Sequence, residues 1–245
     1  MKTAVMKDQM EARVPPFSTT QNRSLREEVY DYLRNEMNRG GLQPGAFLDL
    51  DHLAKRIGVS RTPLREALLH LETQGFVTVL PRKGFQLNPL SLNDIRNYFE
   101  IIGALEAATM LSVGRSLGPE DITNMRQLNQ AMAEAVAADD FTRYYELNLA
   151  FHEVYLGRST NKQLLDLIRS LKQRLYDWPR REGFVKAWEE ESIHIEHERL
   201  MQLLEKGVID DAAAYLQHVH WSFQLQEPYL HAYFFASQGS DSSAG

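Results

Sequence analysis

Two groups of side chains in this 245-residue chain have the type and spacing to do chemistry. The first lies in Gly58-Val59-Ser60-Arg61-Thr62-Pro63-Leu64-Arg65-Glu66-Ala67-Leu68. If Leu64, Ala67, Leu68 and Leu71 form the apolar side of a helix, Arg61 and Arg65 share the opposite face near its start. A guanidinium fork there can take both acceptors of a guanine edge, and Thr62 can hold a phosphate. Arg82 and Lys83, in the turn Pro81-Arg82-Lys83-Gly84, add a basic tip able to reach an adjacent groove or the backbone.

The second group is the histidines. Six of the eight lie beyond residue 150, and there is no cysteine. Thiolate zinc sites, iron–sulfur clusters and cysteine nucleophiles are therefore excluded, and any metal must use histidine and oxygen. Asn148 and His152 are four apart in a helical window, so they project from one face a turn apart and can ligate jointly. His197 stands beside Leu200 and Leu204 in a helix over 188–206, and His218 lies with Tyr215 and Trp221 in the next. Three helices can converge on one point, although spacing across separate helices does not establish contact.

The elements that must position these groups are legible from periodicity and punctuation. Val29, Tyr32, Leu33 and Met37 make a helical stripe ending at Gly40-Gly41, and Pro44-Gly45 turns the chain. A short helix follows Asp49, with Leu50, Leu53, Ala54 and Ile57 inward and Gly58 as its stop. The next helix has Ser60 placed to cap it and Pro63 in its first turn. Phe76, Val77 and Val79, the basic turn, then Phe85 and Leu87 predict a β-hairpin. Beyond residue 91 only helical windows follow, separated at Gly118-Pro119, Asp139-Asp140, Ser159-Thr160, Trp178-Pro179 and Gly207. The expected fold is mainly α: a winged helix-turn-helix of three helices plus a hairpin over 24–88, then an all-α domain over 91–230. Residues 1–23 read as a flexible arm, and 236–245 as a disordered tail.

Charge divides along the same boundary. The net charge of −6 argues against a polyanionic partner when taken alone. Residues 1–90, however, carry 13 Lys+Arg and 10 Asp+Glu, a balance of +3, against −9 for the remainder. Only the first part suits a nucleic acid. The apolar stretch 101–113 is broken by Gly103 and Glu106 and is too short to span a bilayer. Asp8 and Glu11 interrupt any secretory signal, so a cytoplasmic location with no membrane partner is expected.

The order of "VSRTPLREAL", "QGFV" and "RKGF" resembles the winged-helix domain of the GntR family of bacterial transcription regulators. That resemblance implies that Arg61, Thr62 and Arg65 read operator DNA, and that Arg82, Lys83 and Gly84 form the wing tip. Asp51 stands where some members carry an arginine, so an operator sequence does not carry over. "NLAFHEVYL", "IEHERLMQLLEKG" and "AAAYLQHVH" resemble the FCD-type effector domain of one large GntR subfamily. This second resemblance implies an antiparallel helical bundle holding a divalent metal of the Zn, Ni or Mn class. Carried over, the ligands are Asn148, His152, His197 and His218, with His194 and His220 as nearby alternatives. It further implies a homodimer and a repressor, and because the neutral ligands would leave the cation's charge in the cavity, a small acidic effector such as a carboxylate is expected near the metal.

Two departures sharpen that picture. The family position of Asn148 is usually aspartate, and an amide brings no charge to a cation. Ile102 stands where many members carry an arginine one turn before the glutamate corresponding to Glu106. Acid near or below about pH 6 is expected to strip the metal, because histidines ligate only when neutral. A metal-dependent hydrolase using the His cluster, with Glu153 as general base, is the competing class, but H-E-x-x-H, Walker and G-x-G-x-x-G motifs are all missing. An architectural DNA binder without a switch is the third reading; an effector-dependent change in DNA affinity separates it from a regulator.

Overall fold

The computed structural model describes residues 24–38, 41–176 and 186–235. The expected arm, tail, Gly40 stop and Trp178-Pro179 break lie outside the described residues. The chain divides into two compact units, Met1–Pro89 and Leu90–Gly245.

In the first unit α1 (Leu25–Asn38) buries Val29, Tyr30, Leu33 and Met37. The helix α2 (Leu50–Ile57) begins where the Asp49 side chain accepts from the Asp51 and His52 amides, both at 3.0 Å. It ends at Gly58, whose φ of 73° is a left-handed conformation that favours glycine. The helix α3 (Arg61–Thr73) starts after Ser60, which occupies the capping position in extended backbone without making a side-chain cap bond. Pro63 still fits, because a first-turn nitrogen has no carbonyl to meet. Leu64, Ala67, Leu68 and Leu71 are all buried, as the stripe requires.

Strands β2 (Val77–Leu80) and β3 (Gly84–Leu87) form the expected antiparallel hairpin, with Val79 opposite Phe85 and Thr78 opposite Gln86. A third strand, β1 (Phe47–Leu48), pairs with β3 and gives the sheet order β1-β3-β2. Two residues are too few for a period-2 pattern to be read, which is why the sequence shows only a hairpin.

All described elements of the second unit are helical. They are α4 (Leu92–Val113), α5 (Pro119–Ala137), α6 (Phe141–Leu156), α7 (Lys162–Tyr176), α8 (Lys186–Glu191), α9 (Glu198–Glu205), α10 (Ile209–Tyr215) and α11 (Phe223–Phe235). A π-helical turn, Ser192–His197, joins α8 to α9, and a second, Leu216–His220, follows α10. Ser91 caps α4 reciprocally with Asp94: the Asp94 amide donates to the Ser91 hydroxyl at 3.1 Å and the Ser91 amide to the Asp94 carboxylate at 2.9 Å.

The central helix is α4, which packs against α6, α7, α10 and the second π turn. Its inward stripe runs Ile102, Gly103, Glu106, Met110, Val113. Gly103 is there because Trp221 crosses it: a Cβ added at 103 would lie 2.9 Å from the Trp221 Cβ. Gly→Ala inside an exposed helix stabilises by about 1 kcal/mol, whereas overpacking a core costs about 1–3 kcal/mol. Gly103→Ala is therefore expected to destabilise the chain by about 1 kcal/mol net, the difference between those two terms. A denaturation midpoint raised above that of the parent would contradict this account of Gly103.

Candidate functional site

The first candidate site is the exposed start of α3. Arg61, Thr62 and Arg65 are all solvent-exposed, and so are Arg82 and Lys83 in the turn between β2 and β3. Each arginine of α3 meets a different neighbour. Arg61 forms an ion pair with Asp51 of α2. Arg65 extends over the Phe85 ring of β3, 5.8 Å from its centroid. Arg82 has a φ of 64°, the left-handed conformation that a tight turn demands of its tip, and Gly84 follows with a φ of 90°.

The second candidate site is a buried polar cluster in the helical unit. One ring nitrogen each from His152, His197 and His220 lies within 4.8 Å of the others. The ring centroids are 4.9 to 5.6 Å apart. His152 and His197 are sealed from solvent, and His220 is nearly so. Asn148, one turn before His152 on α6, is also buried.

His218 does not join them. It is exposed, and so is the alternative His194. The reason is helical phase. The buried positions Ile209, Ala212, Ala213 and Leu216 lead on to His220, whereas His218, two residues past Leu216, falls on the opposite, exposed side. The ligand set carried over from resemblance is thus corrected at one position, from His218 to His220.

Each of the three rings is oriented by an oxygen at Nδ1. His152 Nδ1 lies 3.1 Å from Glu106 Oε2 and 2.8 Å from the Tyr155 hydroxyl, which itself donates to Glu106 at 2.5 Å. His197 Nδ1 lies 3.0 Å from Asn129 Oδ1, and the Asn129 amide donates to the Ile193 carbonyl at 3.0 Å. His220 Nδ1 lies 2.7 Å from Glu196 Oε2. In His152 and His197 these acceptors call for the proton on Nδ1 and leave Nε2 as the free lone pair. Nε2 of both His152 and His197 is buried with no hydrogen-bond partner.

The electrostatics keep the rings in the ligating form. Burial, with help from the Lys172 ammonium, pushes His152 down to about 3 against the opposing pull of Glu106. Burial likewise holds His197 well below its ordinary value, with the neighbouring histidines adding to the effect. At neutral pH both are neutral imidazoles.

Glu106 is the anchor of this arrangement and is wholly buried. Besides Tyr155 and His152 it receives the Trp221 indole N–H at 3.0 Å and forms an ion pair with Lys172 of α7. Burial pushes its carboxyl upward, but Lys172 and His152 outweigh this and hold it well below the usual carboxylate range. Lys172 also sits 5.1 Å from the centre of the Trp221 ring. The position where an arginine was expected, Ile102, is fully buried and apolar, and the cation that meets Glu106 comes from α7 instead.

Sequence reasoning did not single out Lys172, Asn129, Tyr155 or Glu196. For Lys172 and Asn129 the signal was nevertheless present: each is a polar side chain on an otherwise apolar stripe, Leu165, Ile168, Lys172, Leu175 and Met125, Asn129, Met132, Val136. Glu153, weighed as a general base, forms an ion pair with Arg169 of α7 and is partly exposed. Glu198, the other His-Glu neighbour, binds Arg126 of α5 at 3.0 Å. Beside the cluster, a groove of about 580 Å³ is lined by Arg126, Asn129, Glu134, Ile193, His194 and Met201, so Asn129 faces both the groove and His197. None of the described helices is long and apolar enough to cross a membrane.

Replacing one partner of a buried ion pair leaves the other unpaired, at a cost of about 3–5 kcal/mol. Lys172→Met is expected to lower stability to chemical denaturation by that amount. A loss below about 1 kcal/mol, the worth of an exposed pair, would remove Lys172 from its place in the cluster.

Comparison with known proteins bears on both sites. The family described as bacterial regulatory proteins, gntR family, matches residues 25–87, and the FCD domain matches residues 97–220. The Nta operon transcriptional regulator of Aminobacter aminovorans is 30% identical over 189 residues, covering 74% of this chain and 84% of its own length. The HTH-type transcriptional regulator McbR of Escherichia coli is 28% identical over 152 residues, covering 62% of this chain and 69% of its own. The solved structure of E. coli McbR/YncC shares the fold, with a TM-score of 0.65 at 24% identity over 84% of this chain and 99% of that one.

Proposed function

The chain belongs to the gntR family of bacterial regulatory proteins and carries an FCD domain, and from that membership we propose a metal-assisted, metabolite-responsive repressor. DNA binding and transcriptional regulation come with the family and its relatives. The proposal adds which residues read DNA, what the helical unit holds, and how the two are linked.

At the reading head, Arg61 and Arg65 contact base edges in the major groove, Thr62 contacts a phosphate, and Arg82, Lys83 and Gly84 engage the neighbouring groove or backbone. A homodimer would place two such heads on a pseudo-palindromic operator, because the symmetry of the protein is mirrored in the site.

In the helical unit, His152, His197 and His220, with Asn148 one turn from His152, would hold a divalent cation of the Zn, Ni or Mn class. The observation that carries this reading is the pair of buried, unpartnered Nε2 atoms of His152 and His197 beside the His220 ring, with one nitrogen of each ring within 4.8 Å of the others. An unsatisfied buried acceptor is costly unless a guest meets it. When bound, the cation supplies a positive centre for a carboxylate ligand. Glu106, Asn129 and Glu196 orient the rings, and Lys172 holds Glu106 ionised without admitting water. An effector that binds one arrangement of the helical unit more tightly must shift the equilibrium between DNA-binding states, and DNA must reciprocally alter effector affinity.

Two measurements test the reading. Arg65→Ala should weaken binding to the promoter DNA of the protein's own gene by about 1–3 kcal/mol, with unfolding stability lowered by no more than about 1 kcal/mol, the worth of its exposed contact with the Phe85 ring. Binding equal to the parent in a gel-shift titration would remove Arg65 from the interface. Elemental analysis of purified protein should find one divalent cation per chain in the parent and none in His197→Ala. Equal metal content in both, or none in the parent after incubation with zinc, would end the metal assignment.

A further inference from the structure

The three histidines are oriented by oxygens of different charge. Glu106 carries a negative charge that the buried Lys172 ammonium cancels. Asn129 is neutral. Glu196 is a carboxylate only 6% exposed, and among the described residues it pairs with no lysine or arginine. Its Oε2 accepts from His220 Nδ1 at 2.7 Å, and its Oε1 accepts from the Gln226 side-chain amide at 2.6 Å. Its two oxygens are thus held by the His220 ring and by the neutral amide of Gln226.

A buried carboxylate without a cation is an expensive arrangement, because taking the charge out of water is repaid only by an opposite charge or by complete hydrogen bonding. A divalent cation among three neutral imidazoles and the neutral amide of Asn148 has the mirror-image problem: its ligands bring it no charge. One imidazole separates the two. Hydrogen bonding from Nδ1 to a carboxylate raises the basicity of the opposite ring nitrogen and passes negative charge towards a bound metal.

We propose that Glu196, acting through His220, supplies the negative charge that Asn148 withholds from the metal centre, and that Gln226 of α11 holds the carboxylate in place. Glu196 is a positioning and charge-balancing residue, not a ligand. The inference rests on the metal reading above. It also extends the centre to α11, which begins at Phe223, beyond the residues matched by the FCD family. A second polar contact ties the same helix to the region: the Tyr229 hydroxyl donates to Glu191 at 2.5 Å.

The test uses the full chain and zinc alone, with free zinc set by a competing chelator. Glu196→Gln keeps the shape and removes the charge, and should weaken zinc binding by about 10- to 100-fold, the range for loss of a partner that orients a ligand. Asn148→Asp introduces a charge at the ligand position. In the Glu196→Gln background it should restore affinity to within a few-fold of the parent, and the zinc-induced rise in melting temperature should return with it. In the parent background it should help far less, because the charge is already present. Should Glu196→Gln not fold, Gln226→Leu, which frees the carboxylate without removing it, should still weaken zinc binding several-fold.

Parent-like affinity in Glu196→Gln or in Gln226→Leu overturns the inference while leaving the metal site intact. Weakening that Asn148→Asp does not rescue also overturns it, since the loss would then be of shape alone. If the parent takes no zinc, the metal reading falls and this inference falls with it.

Discussion

The buried Glu106 carboxylate is the constraint on which the helical unit depends. A charge placed at the centre of α4 must be met from every side, and it is: by Lys172 of α7, by His152 and Tyr155 of α6, and by Trp221 just past the second π turn. Each donor fixes the helix that carries it, so one carboxylate sets the mutual placement of four segments. Apolar packing alone tolerates small slides between helices, whereas a fully bonded polar group in a low dielectric does not. Trp221 can reach Glu106 only because position 103 has no side chain. Glycine on α4 and the acid one turn later are thus parts of a single arrangement.

The two π turns serve the same end. Ser192–His197 ends on His197, and Leu216–His220 ends on His220. A π turn inserts a residue into the helical ladder, and such bulges are frequent at functional sites because they re-aim a side chain and free backbone carbonyls. Asn129 makes use of both effects: it accepts from the His197 ring and donates to the Ile193 carbonyl within the bulge. The orientation of the ring and the shape of the bulge are therefore fixed by one amide.

What the sequence disclosed follows from the range of the forces involved. Local signals were sufficient for α3: the stripe Leu64, Ala67, Leu68, Leu71 defines its inner face, and the opposite face then has to carry Arg61 and Arg65 outward. Ser60 was a partial guide, since it occupies the cap position without making the cap bond, and β1 was too short to leave a pattern. In the helical unit His152 and His197 stood out by type, but His218 was preferred to His220 although the Ile209, Ala212, Ala213, Leu216 stripe favours His220. Lys172 was not singled out because its partner Glu106 is 66 positions earlier in the chain, and no local rule pairs a lysine with a distant acid. The detectable trace was the polar residue on an apolar stripe. Glu106, Asn129, Asn148, His152 and Lys172 all share it.

The contrast between the two candidate sites follows from solvent. At the reading head the Asp51–Arg61 pair is exposed on both sides, so it contributes at most about 1 kcal/mol to folding. Its consequence is local: it restrains one arginine and lowers the positive potential beside it, while Arg65 rests on the Phe85 ring and, among the described residues, forms no ion pair. Any phosphate or base that engages Arg61 must compete with the carboxylate of α2, whereas Arg65 carries no such penalty. In the helical unit, where water is excluded, every charge has to be answered by another group. Lys172 answers Glu106 within the chain, whereas Glu196 meets His220 and Gln226 and, among the described residues, pairs with no lysine or arginine. The same residue types therefore do opposite work in the two units: in the exposed one they face solvent and any charged partner that arrives, and in the buried one they fix one another.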